Sequence, residues 1–228
     1  MSRRAAPQST SDRADGVRPR RGRPPDPERP LRVLEAARRH FYEHGFERAS
    51  LDAIAAEAGV SKMTVYSHFG SKEGLFEAVI GQRTSGVVAD RAGAPVPDVL
   101  HPEQALKTVA AQFVRLARDP DTLGQFRTMY AAASTQPEAC AAFYRQGAER
   151  LVGELAQYLR AAHAAGSLNV PNPRMAADLF LAMFLGEAHI RGLLKLAPAA
   201  PRDDLRLIRE AVRVFMAAYG PVGPGSQA

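Results

Sequence analysis

Residues 50–69, SLDAIAAEAGVSKMTVYSHF, contain two short helical segments joined by the tight turn Gly59-Val60-Ser61. Ser50 can cap the first segment and Ser61 the second, because a serine hydroxyl accepts hydrogen bonds from the free N–H groups of a first helical turn. The inward face of the first segment consists of Leu51, Ile54, Ala55 and Ala58. Two short helices joined by such a turn are typical of a helix-turn-helix unit.

The second of these helices presents two chemically different faces. Val65 and Phe69 lie four residues apart, so both side chains are expected to anchor the helix to the core. The side chains left to project outward or sideways are Lys62, Met63, Thr64, Tyr66, Ser67 and His68. Hydroxyl and ammonium groups reach phosphate oxygens and base edges, so this face suits the major groove of DNA. An ordinary helical hairpin with a solvated face is the alternative interpretation.

Helical patterns continue on both sides of this unit. Upstream, apolar residues recur at helical spacing from Leu31, and Gly45 is expected to end that helix in the left-handed conformation. The shared face of this helix carries Leu34, Ala37 and Phe41. Downstream, Gly70 stops the second helix of the unit and Ser71 caps a longer one. Its inward side chains are Leu75, Phe76 and Val79.

The rest of the chain reads as helical, without strand-like alternation. A break at 91–102 contains glycine and prolines, and the helices predicted beyond it span about 103–118, 121–135, 138–165, 173–196 and 203–219. The sequence therefore predicts an all-α protein with a three-helix helix-turn-helix domain and a larger helical domain. The predicted segments are a disordered arm at 1–29, the small domain at 30–80, the larger domain at 81–220 and a disordered tail at 221–228.

Positive charge is concentrated at the N-terminus. The chain has a net charge of +6, and residues 1–23 contain seven arginines against two aspartates. A basic arm on a nearly neutral body predicts a polyanionic partner, nucleic acid before membrane, although a solvated tail without a partner has the same composition. No apolar run is long enough for a membrane span, no signal segment is evident, and Cys140 is the single cysteine. These features favour the cytoplasm.

Five short motifs cover much of residues 31–80. They are AARRHFYEHGF at 36–46, SLDAIA at 50–55, AGVS at 58–61, TVYSHF at 64–69 and SKEGL at 71–75. With these motifs the segment resembles the DNA-binding domain of the tetracycline-repressor (TetR) family of bacterial regulators. The resemblance implies that double-stranded DNA is the partner.

This resemblance also implies a role for each site residue. The residues implied to face bases are Lys62, Met63 and Thr64, with Ser67 on the same exposed surface. The residues implied to contact phosphates are Tyr66, His68, Lys72 and Ser50, the last two at helix N-termini. The arm residues implied to enter an adjacent minor groove are Arg20, Arg21 and Arg23.

The stretch from Gln125 to Leu196 resembles the C-terminal domain of the AefR-like branch of the same family. This makes 81–220 an effector-binding and dimerisation domain, in which helices 173–196 and 203–219 would form a four-helix bundle with a second copy. The residues that would pack there are Leu179, Ala182, Met183, Gly186, Leu205, Ile208, Val212 and Phe215. Candidates for the lining of an effector pocket, each also an ordinary core residue type, are Phe113, Phe126, Met129, Tyr130, Phe143, Tyr144, Phe180, Met183, Phe184 and His189.

The predicted function is a homodimeric DNA-binding transcriptional regulator. We expect a repressor that a small lipophilic or aromatic effector releases from a palindromic operator; activation would use the same DNA-binding surface. Two alternatives have the same sequence features: a helical small-ligand binding or interaction protein without specific DNA binding, and a non-specific basic DNA-binding protein.

No enzyme activity, metal or cofactor is predicted. His40 and His44 fit the zinc-peptidase pattern H-x-x-E-H, but Phe41 belongs to the core face and no third ligand is evident. Cys140 has no resolving cysteine and is expected to be a buried small apolar residue. The common phosphate-loop and hydrolase motifs are absent from the sequence.

Overall fold

The computed structural model describes residues 26–88 and 97–221, and within these ranges it contains helices and no strand. The helices are α1 Arg29–Arg48, α2 Leu51–Glu57, α3 Lys62–Phe69, α4 Lys72–Thr84, α5 Pro102–Arg118, α6 Pro120–Ala132, α7 Pro137–Tyr144, α8 Arg150–Ala164, α9 Pro173–Ala182, α10 Glu187–Leu193 and α11 Pro201–Tyr219. The predicted all-α class is confirmed. No helix of the described ranges is long and apolar enough to cross a bilayer.

Helices α1 to α4 form the small N-terminal bundle. Its centre contains three aromatic rings, with Phe76 edge-on to Phe41 at 5.1 Å and to Phe46 at 5.2 Å between centroids. Val65 of α3 is buried against this core, and Phe69 is half-buried beside it. The predicted inward residues of α2 and α4 are also buried, which explains how the two short helices are held on the larger ones.

Three serines begin three helices of the bundle, as predicted. The Oγ of Ser50 accepts from Ala53 N at 3.5 Å, that of Ser61 from Thr64 N at 3.1 Å, and that of Ser71 from Gly74 N at 3.0 Å. Each hydroxyl satisfies one of the N–H groups that a first turn leaves free. The serines therefore fix where α2, α3 and α4 begin.

The first helix differs from the prediction at both ends. Gly45 has the expected left-handed backbone (φ 74°), but the helix resumes after it for one turn and ends at Arg48. Ala49 N donates to Gly45 O at 3.2 Å, so the glycine produces a kink and not an end. Within residues 26–29, which the sequence assigns to the arm, Asp26 pairs with Arg32 at 3.0 Å and α1 begins at Arg29. The remainder of the arm lies outside the described residues.

The larger domain follows from α5 to α11. The predicted helix 138–165 contains a π-helical turn, Arg145–Glu149, where Gln146 O accepts from the Thr84 hydroxyl at 3.0 Å. This turn therefore packs on the end of α4. Cys140 is half-buried rather than buried, and its thiol lies 3.5 Å from Met129 O.

The prediction of one helix over 173–196 is wrong. Helix α9 ends at Ala182, and α10 begins only at Glu187. Between them the backbone tightens, because Phe184 N bonds to Leu181 O and Leu185 N to Ala182 O over three residues. This turn buries Phe184 in the core of the larger domain and redirects α10 onto α6.

The two domains meet at a charged contact, the domain junction, formed by Arg38, Tyr42, Arg83, Asp119 and Asp121. Arg83 of α4 pairs with Asp119 and donates to Thr122 Oγ1 at 3.0 Å, and Arg38 of α1 donates to Asp121 Oδ2 at 2.7 Å. Both guanidinium groups lie over the Tyr42 ring, at 5.8 and 5.6 Å. Burial raises the pKa of Tyr42 far above its usual value, so its hydroxyl stays neutral.

Candidate nucleic-acid interface

Helix α3 exposes the side chains that the helical period left outside the core. Lys62, Met63, Tyr66, Ser67 and His68 are all exposed, and Met63 is the most open of the large apolar residues of the bundle at 74%. The Met63 side chain contributes no burial free energy to folding, because it remains in water. The helix therefore presents a contiguous polar and apolar surface suited to a partner.

Thr64 and Ser67 are turned partly toward their own helix. Thr64 is half-buried, and its Oγ1 lies 2.9 Å from Ser61 Oγ. The Ser67 hydroxyl donates to Thr64 O at 2.9 Å. These two side chains therefore lie at the edge of the exposed α3 surface. Lys62 and Met63 project further into solvent.

Lys62 makes an ion pair across the helix-turn-helix. Its Nζ lies 2.8 Å from Asp52 Oδ2 at the start of α2, and both side chains are largely exposed. The hydrogen bond to Asp52 raises the pKa of Lys62, so the ammonium remains charged at neutral pH. Asp52 was not recognised from the sequence as a site residue, because its contact depends on how α2 docks against α3.

Lys72 lies at the first residue of α4 and reaches back to α1. Its Nζ donates to Glu47 O at 2.8 Å and lies 4.9 Å from the centroid of the Phe46 ring. Burial lowers the pKa of Lys72, while Glu47 and Glu73 act in the opposite direction. A lysine ammonium has three donors, so further acceptors can bind beside Glu47. Ser50 is exposed at the start of α2, with its hydroxyl used as the cap.

Three of the predicted DNA-contact residues, Arg20, Arg21 and Arg23, lie outside the described residues. The zinc-type pattern of α1 has another explanation, since His40 Nε2 lies 2.8 Å from Glu57 Oε2 and links α1 to α2. In the described part of the chain, no group of three His, Cys, Asp or Glu side chains is arranged to hold a metal ion.

The ten predicted pocket residues fall into several groups in the described part of the chain. Most aromatic and methionine side chains pack against neighbouring helices, because helix packing removes their apolar surface from water. The set divides into the buried core residues Phe113, Phe180 and Phe184, the half-buried Met183, the exposed Tyr130 and Tyr144, Met129 and Phe143 against the N-terminal core, and Phe126 with His189.

Phe126 and His189 are a half-buried ring and a buried polar ring in contact with each other. Phe126 packs edge-on against Phe143 at 5.1 Å and against the His189 ring at 5.4 Å. His189 is buried and its Nδ1 lies 3.2 Å from Ala117 O. Burial lowers the pKa of His189, and the neighbouring Arg118 acts in the same direction. The imidazole is therefore neutral in the fold.

Two open clefts lie elsewhere in the larger domain and were not predicted. They have volumes of about 490 and 350 Å³ and border the connection between α10 and α11. Met183 is the one predicted pocket residue that lines either of these two. The remaining lining residues are charged, small or aliphatic, and none of them is aromatic.

Both domains match known protein families. The family described as bacterial regulatory proteins, tetR family, matches residues 33–79, and the AefR-like transcriptional repressor C-terminal domain matches residues 104–221. Among curated proteins, the HTH-type transcriptional regulator UidR of Escherichia coli K12 is 49% identical over 51 residues, 22% of this chain and 26% of UidR. The A-factor receptor protein of Streptomyces griseus is 34% identical over 68 residues, 30% of this chain. The chain spans about a quarter of the length of these relatives.

Solved structures extend the similarity over nearly the whole described chain. The flavonoid-responsive regulator FrrA is 30% identical, with a TM-score of 0.67 over 86% of this chain and 99% of that one. A tetR-family regulator from Mesorhizobium loti is 25% identical, with a TM-score of 0.65 over 85% of this chain and 97% of that one. The shared fold therefore includes both domains.

Proposed function

The chain belongs to the TetR family of bacterial DNA-binding transcriptional regulators, and we propose that it acts as a homodimeric repressor released from a palindromic operator by a small apolar effector. The observation that carries this proposal is the surface of α3, where a serine-capped helix exposes Lys62, Met63 and Tyr66 while Val65 anchors it. A helix so mounted can enter the major groove, which is wide enough for one α-helix.

We assign the DNA contacts by position on this surface. Lys62, Met63 and Thr64 face base edges, with Thr64 and Ser67 at the margin of the contact. The residues assigned to phosphates are Tyr66, His68, Lys72 and Ser50. Arg20, Arg21 and Arg23 are assigned to the adjacent minor groove. Two copies of α3 then read half-sites about one helical turn, ~34–36 Å, apart.

Footprinting on the DNA that flanks the gene of this protein tests the proposal. Protection of a palindrome is the expected result. Weak, uniform binding would replace the proposal with a non-specific basic DNA-binding protein. No binding at low salt would leave a ligand-binding or interaction protein.

Lys72→Ala is expected to weaken binding to every DNA sequence alike. The variant removes one phosphate contact, so the slope of log affinity against log salt concentration falls by about one. Titrations at several salt concentrations measure this slope. The matched control is Lys107→Ala on α5, which removes a lysine that is half-buried like Lys72 but lies outside the bundle. An unchanged slope would contradict the phosphate assignment of Lys72.

The dimer interface is proposed on a smaller set of residues than the sequence suggested. Ile208, Val212 and Phe215 are buried within one chain and are not available to a partner. Apolar side chains that remain exposed on α9 and α11 are Met175, Leu179, Leu205 and Val214. A second copy would remove this surface from water, and apolar burial is the main favourable term in association.

A homodimer is expected to have twice the chain mass of 24.6 kDa in size-exclusion chromatography with light scattering. Leu205→Glu should shift it toward the monomer, because a carboxylate in an apolar contact is costly. Leu31→Glu is the matched control, since Leu31 of α1 is similarly exposed at 57% against 59% for Leu205. A wild-type monomer at micromolar concentration would disprove the dimer.

The effector is proposed to bind in the larger domain and to change DNA binding through the domain junction. The name of FrrA, the flavonoid-responsive regulator, supports a small aromatic compound as effector, because FrrA is similar to this chain over 86% of its residues. An effector releases DNA if it binds better to a conformation in which the two α3 helices are wrongly spaced. Arg38 and Arg83 link the DNA-binding domain to the start of α6 through their ion pairs, so a movement of α6 would change that spacing.

A further inference from the structure

The two clefts beside the α10–α11 connection adjoin each other. Residues that line both are Arg118, Ala188, Pro198, Ala199 and Asp204. The floor is formed by Arg118 at the C-terminal end of α5, and α10 and the start of α11 form the walls. Helix α6 borders the smaller cleft. Their volumes of about 490 and 350 Å³ lie in the range of small-molecule sites.

Arg118 at the floor is incompletely paired. Its Nη2 donates to Phe184 O at 3.1 Å, and its Nε lies 3.4 Å from Asp204 Oδ1. Its Nη1 is buried and has no hydrogen-bond partner within residues 26–88 and 97–221. A partly buried guanidinium with one loose ion pair retains positive charge in a low-dielectric environment, where charges interact more strongly than in water. The adjoining space therefore favours an anion.

The smaller cleft has an excess of positive charge. Arg118, Arg127 and Lys195 line it, and Asp204 is its one carboxylate. The rest of its lining is largely apolar and includes Pro120, Leu123, Leu196 and Pro198. In the larger cleft two arginines face three carboxylates, so positive charge exceeds negative charge in the smaller cleft alone.

The backbone around α10 fixes the two outer cations at the cleft. Arg127 Nη1 donates to Gly192 O at 3.1 Å, which leaves its other donors for a ligand. Lys195 follows α10 in the left-handed conformation (φ 55°), unusual for a residue with a side chain, and Leu196 N closes the turn on Arg191 O at 2.9 Å. The end of α10 therefore fixes the backbone of Lys195 beside the cleft.

From these observations we infer that the paired clefts are the effector site and that the effector is an organic anion with an apolar body. Its acidic oxygen group lies among Arg118, Arg127 and Lys195, and its body lies on Leu123 and Pro198. This inference rests on the proposed function in one respect, namely that the larger domain binds an effector. It narrows the effector class from apolar compounds to apolar acids.

The same site has a direct path to the DNA-binding domain. Arg118 faces the clefts, and the next residue, Asp119, pairs with Arg83 of α4. Asp121, two residues further, pairs with Arg38 of α1. A ligand that draws Arg118 toward the cleft acts on the short corner that carries both of these interdomain ion pairs.

Isothermal titration of the full chain without DNA tests the ligand class. The probes are 2-naphthoate and decanoate as acids, 2-naphthamide as the neutral match and 2-naphthylmethylammonium as the cation. At least one acid is expected to bind about tenfold or more tightly than the amide, because charge-assisted hydrogen bonds are roughly twice as strong as neutral ones. Equal binding of acid and amide, tighter binding of the cation, or binding of neither acid would overturn the inference.

Variants locate the binding. Lys195→Gln should weaken acid binding several-fold and leave amide binding unchanged, and Ala199→Phe should abolish both by filling the clefts. Arg160→Gln, an exposed α8 residue outside the clefts, is the control for a lost positive charge. Acid binding insensitive to both cleft variants would place the ligand elsewhere and overturn the inference. These titrations contain no DNA, so a negative result would overturn the effector site and leave a footprinted operator as evidence for specific DNA binding. A negative footprint would likewise leave the titration result valid.

Discussion

Phe76→Ala is expected to lower the free energy of unfolding by about 3–5 kcal/mol, the usual cost of truncating a buried phenylalanine. Phe76 is 2% exposed and contacts both Phe41 and Phe46 through edge-to-face ring pairs. Its loss removes buried apolar area and both ring pairs, and it leaves a cavity where α1 and α4 meet. A loss of this size is a large fraction of the stability of a small domain.

Urea denaturation followed by far-UV circular dichroism measures this effect. Tyr130→Ala is the matched control, because Tyr130 is an aromatic residue that is 64% exposed, and its truncation should change stability by less than about 1 kcal/mol. Because Lys72 lies over the Phe46 ring, the Phe76 variant should also weaken DNA binding under conditions where it remains folded. Equal stability of the two variants would contradict the description of the bundle core.

The parts of the fold that were predictable from the sequence depend on neighbours within four residues. The three serine caps and the burial of Val65 and Phe76 follow from helical period and capping chemistry, both local properties. The turn that separates α9 from α10 has only a weak local signal, because Gly186 is its one helix-breaking residue and a single glycine is tolerated within a helix. After the break α10 packs against α6, and contacts between helices distant in sequence are not contained in a local pattern.

The candidate site divides in the same way. The outward face of α3 was predictable because Val65 and Phe69 define its opposite side. The partner of Lys62 was not predictable, because Asp52 belongs to another helix. The same holds for Arg38, whose partner Asp121 is 83 residues further along the chain. Several of the aromatic residues predicted for the pocket lie in the core, because burial of large apolar side chains stabilises the fold, and whether they also line an effector site stays a prediction.

Lys62→Glu is expected to reduce operator affinity by about 100-fold or more without unfolding the protein. The substitution removes a cation assigned to base edges and places a carboxylate beside phosphates, so both changes oppose binding. The side chain is largely exposed and its loss leaves no cavity, so the urea midpoint should change little. Electrophoretic mobility shift with the footprinted operator measures the affinity. Lys62→Gln, which removes the charge without reversing it, should give an intermediate loss.

Asp52→Asn should have the opposite effect and serves as the decisive control. In the free protein Asp52 holds Lys62 at 2.8 Å and competes with DNA for it. The asparagine variant removes that competition and one negative charge near the phosphates, so affinity should rise about threefold at low salt and the gain should shrink at high salt. Because the competition requires the Lys62 ammonium, Asp52→Asn should have a smaller effect in a Lys62→Gln background, where only the gain from the lost negative charge remains. Weaker binding by Asp52→Asn would mean that the ion pair positions Lys62 for DNA, and the proposed competition would then be wrong.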